Sequence, residues 1–202
     1  MKILKFFLVF LFLTSRVNAI ELPKIDTKFY LGIYKSIDKL TAVAQQHNFE
    51  IPYYTSIDTE KKNLGFFLGY NFYLDNFLLG LETSFQENIG KDNNPGPDLD
   101  GTVIYEKLRE VKFNFGYNYN DFVFFTYLGI GDANPVWTAY QNDPTFIREY
   151  WTRGFGIDYK LTENYFIGLN FDETTFDINY LTSNYVEEVQ KQSARLRFGY
   201  LF

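Results

Sequence analysis

The sequence of 202 residues contains no cysteine, one histidine and only six prolines. Without cysteine the fold has no disulfide framework, so its stability must come from packing and hydrogen bonds. Acidic residues outnumber basic ones by 25 to 19, and this balance disfavours nucleic-acid binding, which needs clustered lysine and arginine. Beyond the N-terminal region, no apolar stretch approaches the roughly 20 residues of a membrane-spanning helix.

The N-terminal residues have the pattern of a secretory signal peptide. Lys2 and Lys5 precede an unbroken apolar run of eight residues, and small residues follow up to Ala19. The run is too short to span a bilayer, and a buried N-terminal helix is the weaker alternative. We therefore expect residues 1–19 to be a signal peptide for Sec-type export that is cleaved near Ala19. Residues 20–202 would form one domain with 16 basic and 25 acidic residues, a net charge of −9.

Aromatic residues are abundant, with 23 Phe and 17 Tyr, yet the mean hydropathy is slightly negative at −0.23. Many aromatics without long apolar runs indicate strands that alternate an apolar with a polar face. Eight segments alternate in this way, and most have the length of a tilted membrane strand, about 8–11 residues. They are residues 28–34, 63–73, 77–85, 109–119, 122–131, 150–159, 165–172 and 193–202.

Glycine distinguishes the two faces of these segments. Of the 14 glycines, three fall in a predicted loop and the other eleven fall on the face opposite the apolar one. The segment 122–131 is apolar on both faces and is oriented by its glycines alone. Small inward residues suit the narrow lumen of an eight-stranded barrel. A soluble barrel or sandwich is the alternative, but it would expose the glycine-rich face and bury the apolar one.

The connections between the segments alternate between short and long. Residues 73–76, 118–121 and 160–164 are short and rich in Asn, Asp and Thr, whereas 35–62, 86–108, 132–149 and 173–192 are long. Outer-membrane barrels have short turns on the periplasmic side and long loops outside. We therefore predict an all-β fold, an eight-stranded antiparallel up-and-down transmembrane barrel in the outer membrane of a Gram-negative bacterium.

The C-terminal half of the chain resembles a known superfamily. The stretch GFGIDYKLTENYFIGLNFDETTFD (Gly154–Asp177) and the terminal SARLRFGYLF are similar to the C-terminal half of the OmpA-like and opacity-protein outer-membrane barrels, and FTYLGIG resembles their fifth strand. The resemblance implies fold and location, because members differ widely in activity. It also implies that the barrel-assembly machinery reads a terminal aromatic pattern as a sorting signal. In this chain the pattern consists of Leu196, Phe198, Tyr200 and Phe202.

Charged residues also occur at inward positions of the predicted strands. They are Glu82, Glu110, Lys112, Asp158, Asp172, Arg195 and Arg197. Charges inside a narrow barrel are costly unless they are paired, so we expect a structural network of salt bridges. A gated ion path is the alternative, although eight-stranded barrels usually fill their own lumen with side chains.

Candidates for catalysis or metal binding are few. His47 shares a predicted loop with Ser56 and Asp58, and some barrels that this architecture resembles are lipid A-modifying enzymes with a histidine near a serine. The spacing matches no recognised motif, so a solvated loop histidine is the preferred interpretation. The acidic loop 90–102 offers oxygen ligands for calcium but lacks the EF-hand spacing. We therefore assign no catalytic residue, metal or cofactor.

These patterns predict a non-enzymatic protein with a structural or adhesin-like role, carried by four long extracellular loops that contain several aromatic residues. Exposed aromatics on loops are typical of contact surfaces, although they also suit the lipid headgroup region. A small porin-like channel and a lipid A-modifying enzyme are the alternative functions. The expected partners are outer-membrane lipids, the barrel-assembly machinery and an unspecified extracellular ligand, and the expected state is a monomer.

Overall fold

The computed structural model describes residues 24–46, 55–92, 103–137, 148–179 and 185–202, and the predicted signal peptide lies outside these ranges. The strands are β1 (Ile25–Gln46), β2 (Thr55–Leu74), β3 (Phe77–Asp92), β4 (Val103–Tyr119), β5 (Phe122–Trp137), β6 (Arg148–Lys160), β7 (Tyr165–Asn179) and β8 (Tyr185–Leu201). Each strand pairs antiparallel with its sequence neighbours, and β8 pairs with β1 to close a barrel. The predicted eight-stranded antiparallel barrel is therefore confirmed. In the described part of the chain, no helix is long and apolar enough to cross a membrane.

Alternation along each strand decides which side chains enter the lumen. β5 is the least obvious case, because its sequence is apolar on both faces. Its residues Val123, Phe125 and Tyr127 are buried inside the barrel, whereas Phe124 and Leu128 are exposed outside. The eleven glycines of the predicted strands all share the inner parity, as the sequence pattern predicts.

The register of the strands sets their inclination to the barrel axis. A row is a set of residues that are paired directly across neighbouring strands. One row leads from Lys62 of β2 through Ile37, Ala194, Phe171, Phe155, Thr126, Phe115 and Leu79 back to Phe72 of β2. Lys62 and Phe72 are ten residues apart, so the barrel has a shear of ten, which inclines the strands by about 40°. At about 3.3 Å per residue the row climbs roughly 25 Å along the axis.

Short turns connect the strands at one end of the barrel, called here the turn end. Asp75 and Asn120 begin two-residue turns and both have φ of 53°. Asp and Asn tolerate this left-handed backbone better than other residues with a side chain. The backbone N–H of Asp75 donates to the Lys24 carbonyl at 3.0 Å, and its carboxylate accepts from the Lys24 N–H at 3.0 Å. These contacts fix the start of β1 against the first turn.

At the opposite end, called here the loop end, the strands extend well past the predicted limits. The strands include residues at both ends of the predicted loop 35–62. They also include residues of the predicted loops 86–108, 132–149 and 173–192. The reason is that outward positions there become charged, as at Lys39 and Lys62, while inward positions such as Asp38 and Leu40 stay buried. The apolar face therefore ends before the hydrogen-bonded ladder does.

Candidate functional site

The lumen holds the charged side chains that alternation assigned to the inner face. The structure places all seven inside the barrel: Glu82 on β3, Glu110 and Lys112 on β4, Asp158 on β6, Asp172 on β7, and Arg195 and Arg197 on β8. Ion pairs join them into one connected network. Residues far apart in the sequence thus meet at the centre of the barrel.

Arg197 organises the half of the network nearer the turn end. Its Nη2 donates to Glu82 Oε2 at 2.8 Å, and its Nε lies 3.5 Å from Asp158 Oδ1. Tyr30 Oη donates to the same Glu82 oxygen at 3.0 Å. The guanidinium also lies 4.0 Å from the centroid of the Phe67 ring, a favourable cation–π distance. Charge pairing and aromatic packing together fill this section of the lumen.

Arg195 organises the other half. Its Nη1 and Nη2 donate to the two carboxylate oxygens of Glu110 at 2.9 and 3.2 Å, a bidentate arrangement. Its Nε lies 3.1 Å from Asp172 Oδ2. Lys112 connects the two halves, because its Nζ lies 3.0 Å from Glu110 Oε2 and 3.9 Å from Glu82 Oε1.

Two further charges belong to this network and were missed from the sequence. Lys191 Nζ lies 3.4 Å from Asp172 Oδ1 and donates to Ser193 Oγ at 2.7 Å. Asp38 accepts hydrogen bonds from Ser36, Asn63, Gln86 and Ser193. Both charges lie in stretches that were predicted as loops. Extending the inward parity of Tyr34 and of Ser193 by a few residues identifies them.

Replacement of a single member of the network is expected to destabilise the barrel. It contains five carboxylates and four cations, all largely buried. Replacing a whole buried ion pair by apolar residues is often neutral or stabilising, whereas removing one partner costs about 3–5 kcal/mol. The network is therefore not expected to raise the stability of the barrel, but it fixes and fills the interior.

Aromatic rings fill the lumen beside the strand glycines. Seven inward rings each lie directly across from a glycine on the neighbouring strand: Tyr30–Gly69, Tyr34–Gly65, Phe67–Gly32, Phe125–Gly156, Tyr127–Gly154, Tyr150–Gly131 and Phe166–Gly199. A Cβ added to Gly154 would lie 2.5 Å from the Tyr127 ring. The sequence predicted small residues for a narrow lumen. The structure adds that each of these glycines makes room for one specific ring.

The lumen widens near the turn end of the barrel. A polar cavity of about 450 Å³ opens there, with Lys28, Tyr73 and Lys160 among its lining residues. Further inside, Tyr30 and Asp158 border a cavity of about 20 Å³, which has room for about one water molecule. The Arg197 half of the network begins on the side of this cavity that is nearer the loop end.

The other candidate residues do not form a site in the described structure. His47 lies outside the described residues, as do residues 93–102 of the acidic loop. Ser56 and Asp58 lie in β2 and not in a loop, because the strand extends beyond its apolar part. Within the described ranges, no group of three acidic or histidine side chains is placed to hold a metal ion.

The terminal aromatic pattern lies on the outer face of β8. Leu196, Phe198 and Phe202 are exposed, and the Phe202 N–H donates to the Phe29 carbonyl of β1 at 2.9 Å. The Phe202 and Phe29 rings lie 5.3 Å apart, and Tyr200 contacts Phe202 at 4.8 Å. The last residue thus contributes to the seam between the first and last strands.

Comparison with known proteins identifies the fold. Neither a protein-family model nor a curated protein matches the chain. Among solved structures, it is similar to the outer membrane protein OprG of Pseudomonas aeruginosa, with 13% identity, a TM-score of 0.53, and coverage of 90% of this chain and 98% of that one. The chain has the fold of the eight-stranded outer-membrane barrels. The resemblance to OmpA-like and opacity-protein barrels is thereby confirmed at the level of fold.

Two further structures have the same barrel. The outer membrane protein AlkL, studied in lipid bilayers, has 12% identity and a TM-score of 0.51, with 94% of this chain and 96% of that chain covered. The attachment invasion locus protein Ail of Yersinia pestis, solved with the heparin analogue sucrose octasulfate, has 14% identity and a TM-score of 0.50. The alignment with Ail covers 86% of this chain and 99% of that one.

Proposed function

We propose that this protein is a non-conducting outer-membrane anchor that presents its loop end outside the cell for contact with another molecule. The observation that carries the proposal is the lumen, which is filled by the nine-residue charge network and by aromatic rings. A barrel filled in this way has a poor path for ions. The surfaces of the barrel that remain available for a function are the outer wall and the loop end.

The outer wall supports a location in a membrane. Large apolar side chains cover it between two boundaries. At the turn end the boundary is a ring of exposed aromatics: Phe77, Tyr117, Phe122, Tyr159, Tyr165 and Phe202. At the other boundary, exposed charges such as Lys62, Glu87 and Arg109 follow the last apolar residues. The row from Phe72 to Lys62 climbs roughly 25 Å, the height of the apolar band in membrane barrels.

The strand lengths support a role outside the membrane. β1 has 22 residues, which corresponds to about 55 Å along the axis at a rise of about 3.3 Å and a tilt of about 40°. An apolar band of about 25 Å accounts for less than half of this length. The remainder forms a hydrogen-bonded extension of the barrel, with exposed charges such as Lys39 and Glu149. Such an extension holds the loop-end edge of the strands away from the lipid surface.

The charge of the connecting stretches indicates the kind of partner. The stretches 47–54, 93–102, 138–147 and 180–184 contain four acidic residues (Glu50, Asp98, Asp100 and Asp143) and no lysine or arginine. Ail has the same fold and was solved in complex with the heparin analogue sucrose octasulfate, which is a polyanion. The acidic stretches of this chain favour a neutral or cationic partner instead.

Conductance in planar bilayers tests the proposal. The wild-type barrel should give no discrete current steps. Arg197→Ala removes the side chain between Glu82, Asp158 and the Phe67 ring, so it should produce measurable openings. Arg109→Ala, an outward variant on β4, should remain silent. Stable current steps from the wild-type protein would overturn the non-conducting role and favour the channel alternative.

Binding to coated surfaces tests the second part of the proposal. Vesicles that carry the protein should adhere to amine-coated beads and not to sulfated beads. Replacing Asp98 and Asp100 by asparagine should weaken this adhesion, because it removes half of the acidic charge of the connecting stretches. Preferential adhesion to sulfated beads would contradict the proposed partner chemistry.

A further inference from the structure

The pairing between β2 and β3 ends before the strands themselves end. Its last pair toward the loop end is Gly65 with Gln86, although β2 begins at Thr55 and β3 continues to Asp92. Among the described residues, 55–62 of β2 therefore pair with β1 alone. This stretch is called here the open edge. Both strands are described at this level, so the gap between them lies within the described structure.

Bulges in the neighbouring strands account for the separation. β3 has one residue more than β4 between Glu87 and Gly90, and β4 has one more than β5 between Tyr105 and Lys107. A bulge bends the strand that contains it and increases its twist. β1, in contrast, pairs with β2 and with β8 without a shift. β3 and β4 therefore bend away at the level where β2 continues regularly along β1.

The open edge lies outside the apolar band. Lys62 is at the loop-end boundary of this band, and Thr55 lies seven residues further along β2, which corresponds to about 18 Å along the axis. Neighbouring residues of a strand direct their N–H and C=O groups to opposite sides, so half of these groups in the open edge point away from β1. Such a row of backbone groups is a template for pairing with another strand.

A groove on the outer wall lies where the two strands separate. It has a volume of about 600 Å³, and Leu64, Phe66, Phe85 and Glu87 are among its lining residues. A strand that adds to the open edge and continues toward the membrane reaches this groove with its side chains. In strand addition, main-chain hydrogen bonds give the affinity and pockets for side chains give the specificity.

We propose that the open edge binds an extended peptide segment of a partner protein, which pairs with β2 as an additional strand outside the membrane. The backbone selects the occupant, because it offers donors and acceptors at the spacing of a β-strand. The open edge contains two acidic and two basic residues, so it has no net charge with which to select a partner. In a two-fold dimer the tilted β2 strands of the two copies would cross at about 80°, which is too steep for paired strands. The inference rests on the proposed function, whose class of partner it names.

Fluorescence anisotropy with the full chain folded in neutral detergent micelles tests this inference. The probe is a labelled peptide of about ten residues that alternates threonine and valine and has a lysine at each end. It should bind, whereas the same peptide N-methylated at consecutive central residues should bind at least about tenfold more weakly, because it lacks the donors for pairing. Absence of binding, or equal affinity of the two peptides, would overturn the proposal.

Hydrogen exchange locates the bound probe. Alternate amides of residues 55–62 should exchange rapidly in the free protein and become protected when the probe binds. Residues 35–44 of β1 are the control, because they pair with both β2 and β8, so the probe should not change their protection. Binding without new protection in 55–62 would place the probe elsewhere and overturn the inference.

A reversible disulfide should close the gap, since the chain has no cysteine of its own. Positions 62 and 89 would lie opposite each other if the pairing between β2 and β3 continued. The double variant Lys62→Cys and Ile89→Cys should therefore lose at least about tenfold in probe affinity on oxidation and recover it on reduction. The control is Leu68→Cys with Thr83→Cys, at two positions that are already opposite, and its oxidation should leave the affinity unchanged.

A heat-dependent gel shift shows that each double variant is folded, and mass spectrometry shows that its disulfide has formed. Equal probe affinity of the oxidised and reduced forms of the variant at positions 62 and 89 would contradict strand addition at the open edge.

The outcome is separable from that of the proposed function. A barrel that adheres to amine-coated beads without binding the probe refutes only strand addition. A barrel that binds the probe and conducts ions refutes only the non-conducting role.

Discussion

Replacing Arg195 by methionine should destabilise the barrel by about 3 kcal/mol. The change removes the guanidinium that binds both Glu110 and Asp172 and keeps an unbranched side chain. Glu110 would keep Lys112 at 3.0 Å, and Asp172 would keep Lys191 at 3.4 Å. Breaking a buried ion pair from one side costs about 3–5 kcal/mol. The cations that remain place the expected loss at the lower end of that range.

Urea unfolding of the barrel in lipid vesicles measures this loss, with tryptophan fluorescence as the signal. Trp151 is exposed on the outer wall and reports the transfer from lipid to water. The control is Arg109→Met, which breaks a partly exposed pair with Asp132 and should cost only about 0–1 kcal/mol. Adding Glu110→Gln to the Arg195 variant should recover part of the loss. An Arg195 variant whose free energy of unfolding lies within about 1 kcal/mol of wild type, the range typical of exposed ion pairs, would contradict this prediction.

Two further predictions concern the lumen glycines and the last strand. Gly154→Ala should lower the free energy of unfolding by about 1–3 kcal/mol, because the new methyl group meets the Tyr127 ring at 2.5 Å; the same urea assay checks this, and an unchanged midpoint contradicts it. Deleting Phe202 should impair assembly far more than deleting Asn94, because the Phe202 N–H donates a hydrogen bond to the Phe29 carbonyl of β1. The heat-dependent gel shift of outer-membrane fractions measures assembly, and equal assembly of both variants would contradict this prediction.

The number, order and facing of the strands were predictable because they depend on local alternation. In β4, Val111 and Phe113 face out and Lys112 faces in, and three adjacent residues suffice to read this. The short turns were predictable for a similar reason, since Asp75 and Asn120 tolerate a left-handed backbone that few other residues adopt.

The strand ends and the ion pairs required the structure. At Lys39 and Thr41 the outward side chains are polar, so the apolar face that marks a strand is interrupted while the ladder continues. The pairing of Arg195 with Glu110 joins residues 85 positions apart. It depends on the shear of the barrel, which no local pattern records. Alternation can place both residues in the lumen but cannot say which inward charges meet.

The inner residues of β8 also explain why the barrel has one register. A slip by one residue would turn Arg195 and Arg197 toward lipid, at up to about 2–4 kcal/mol each, and would leave Glu110 and Asp172 short of cations. A slip by two residues keeps the facing and would escape this penalty. It would, however, place Arg197 or Leu201 opposite the Phe166 ring, where Gly199 now lies, and a side chain does not fit there. Charge therefore excludes odd slips, and the pairing of glycines with aromatic rings excludes even ones.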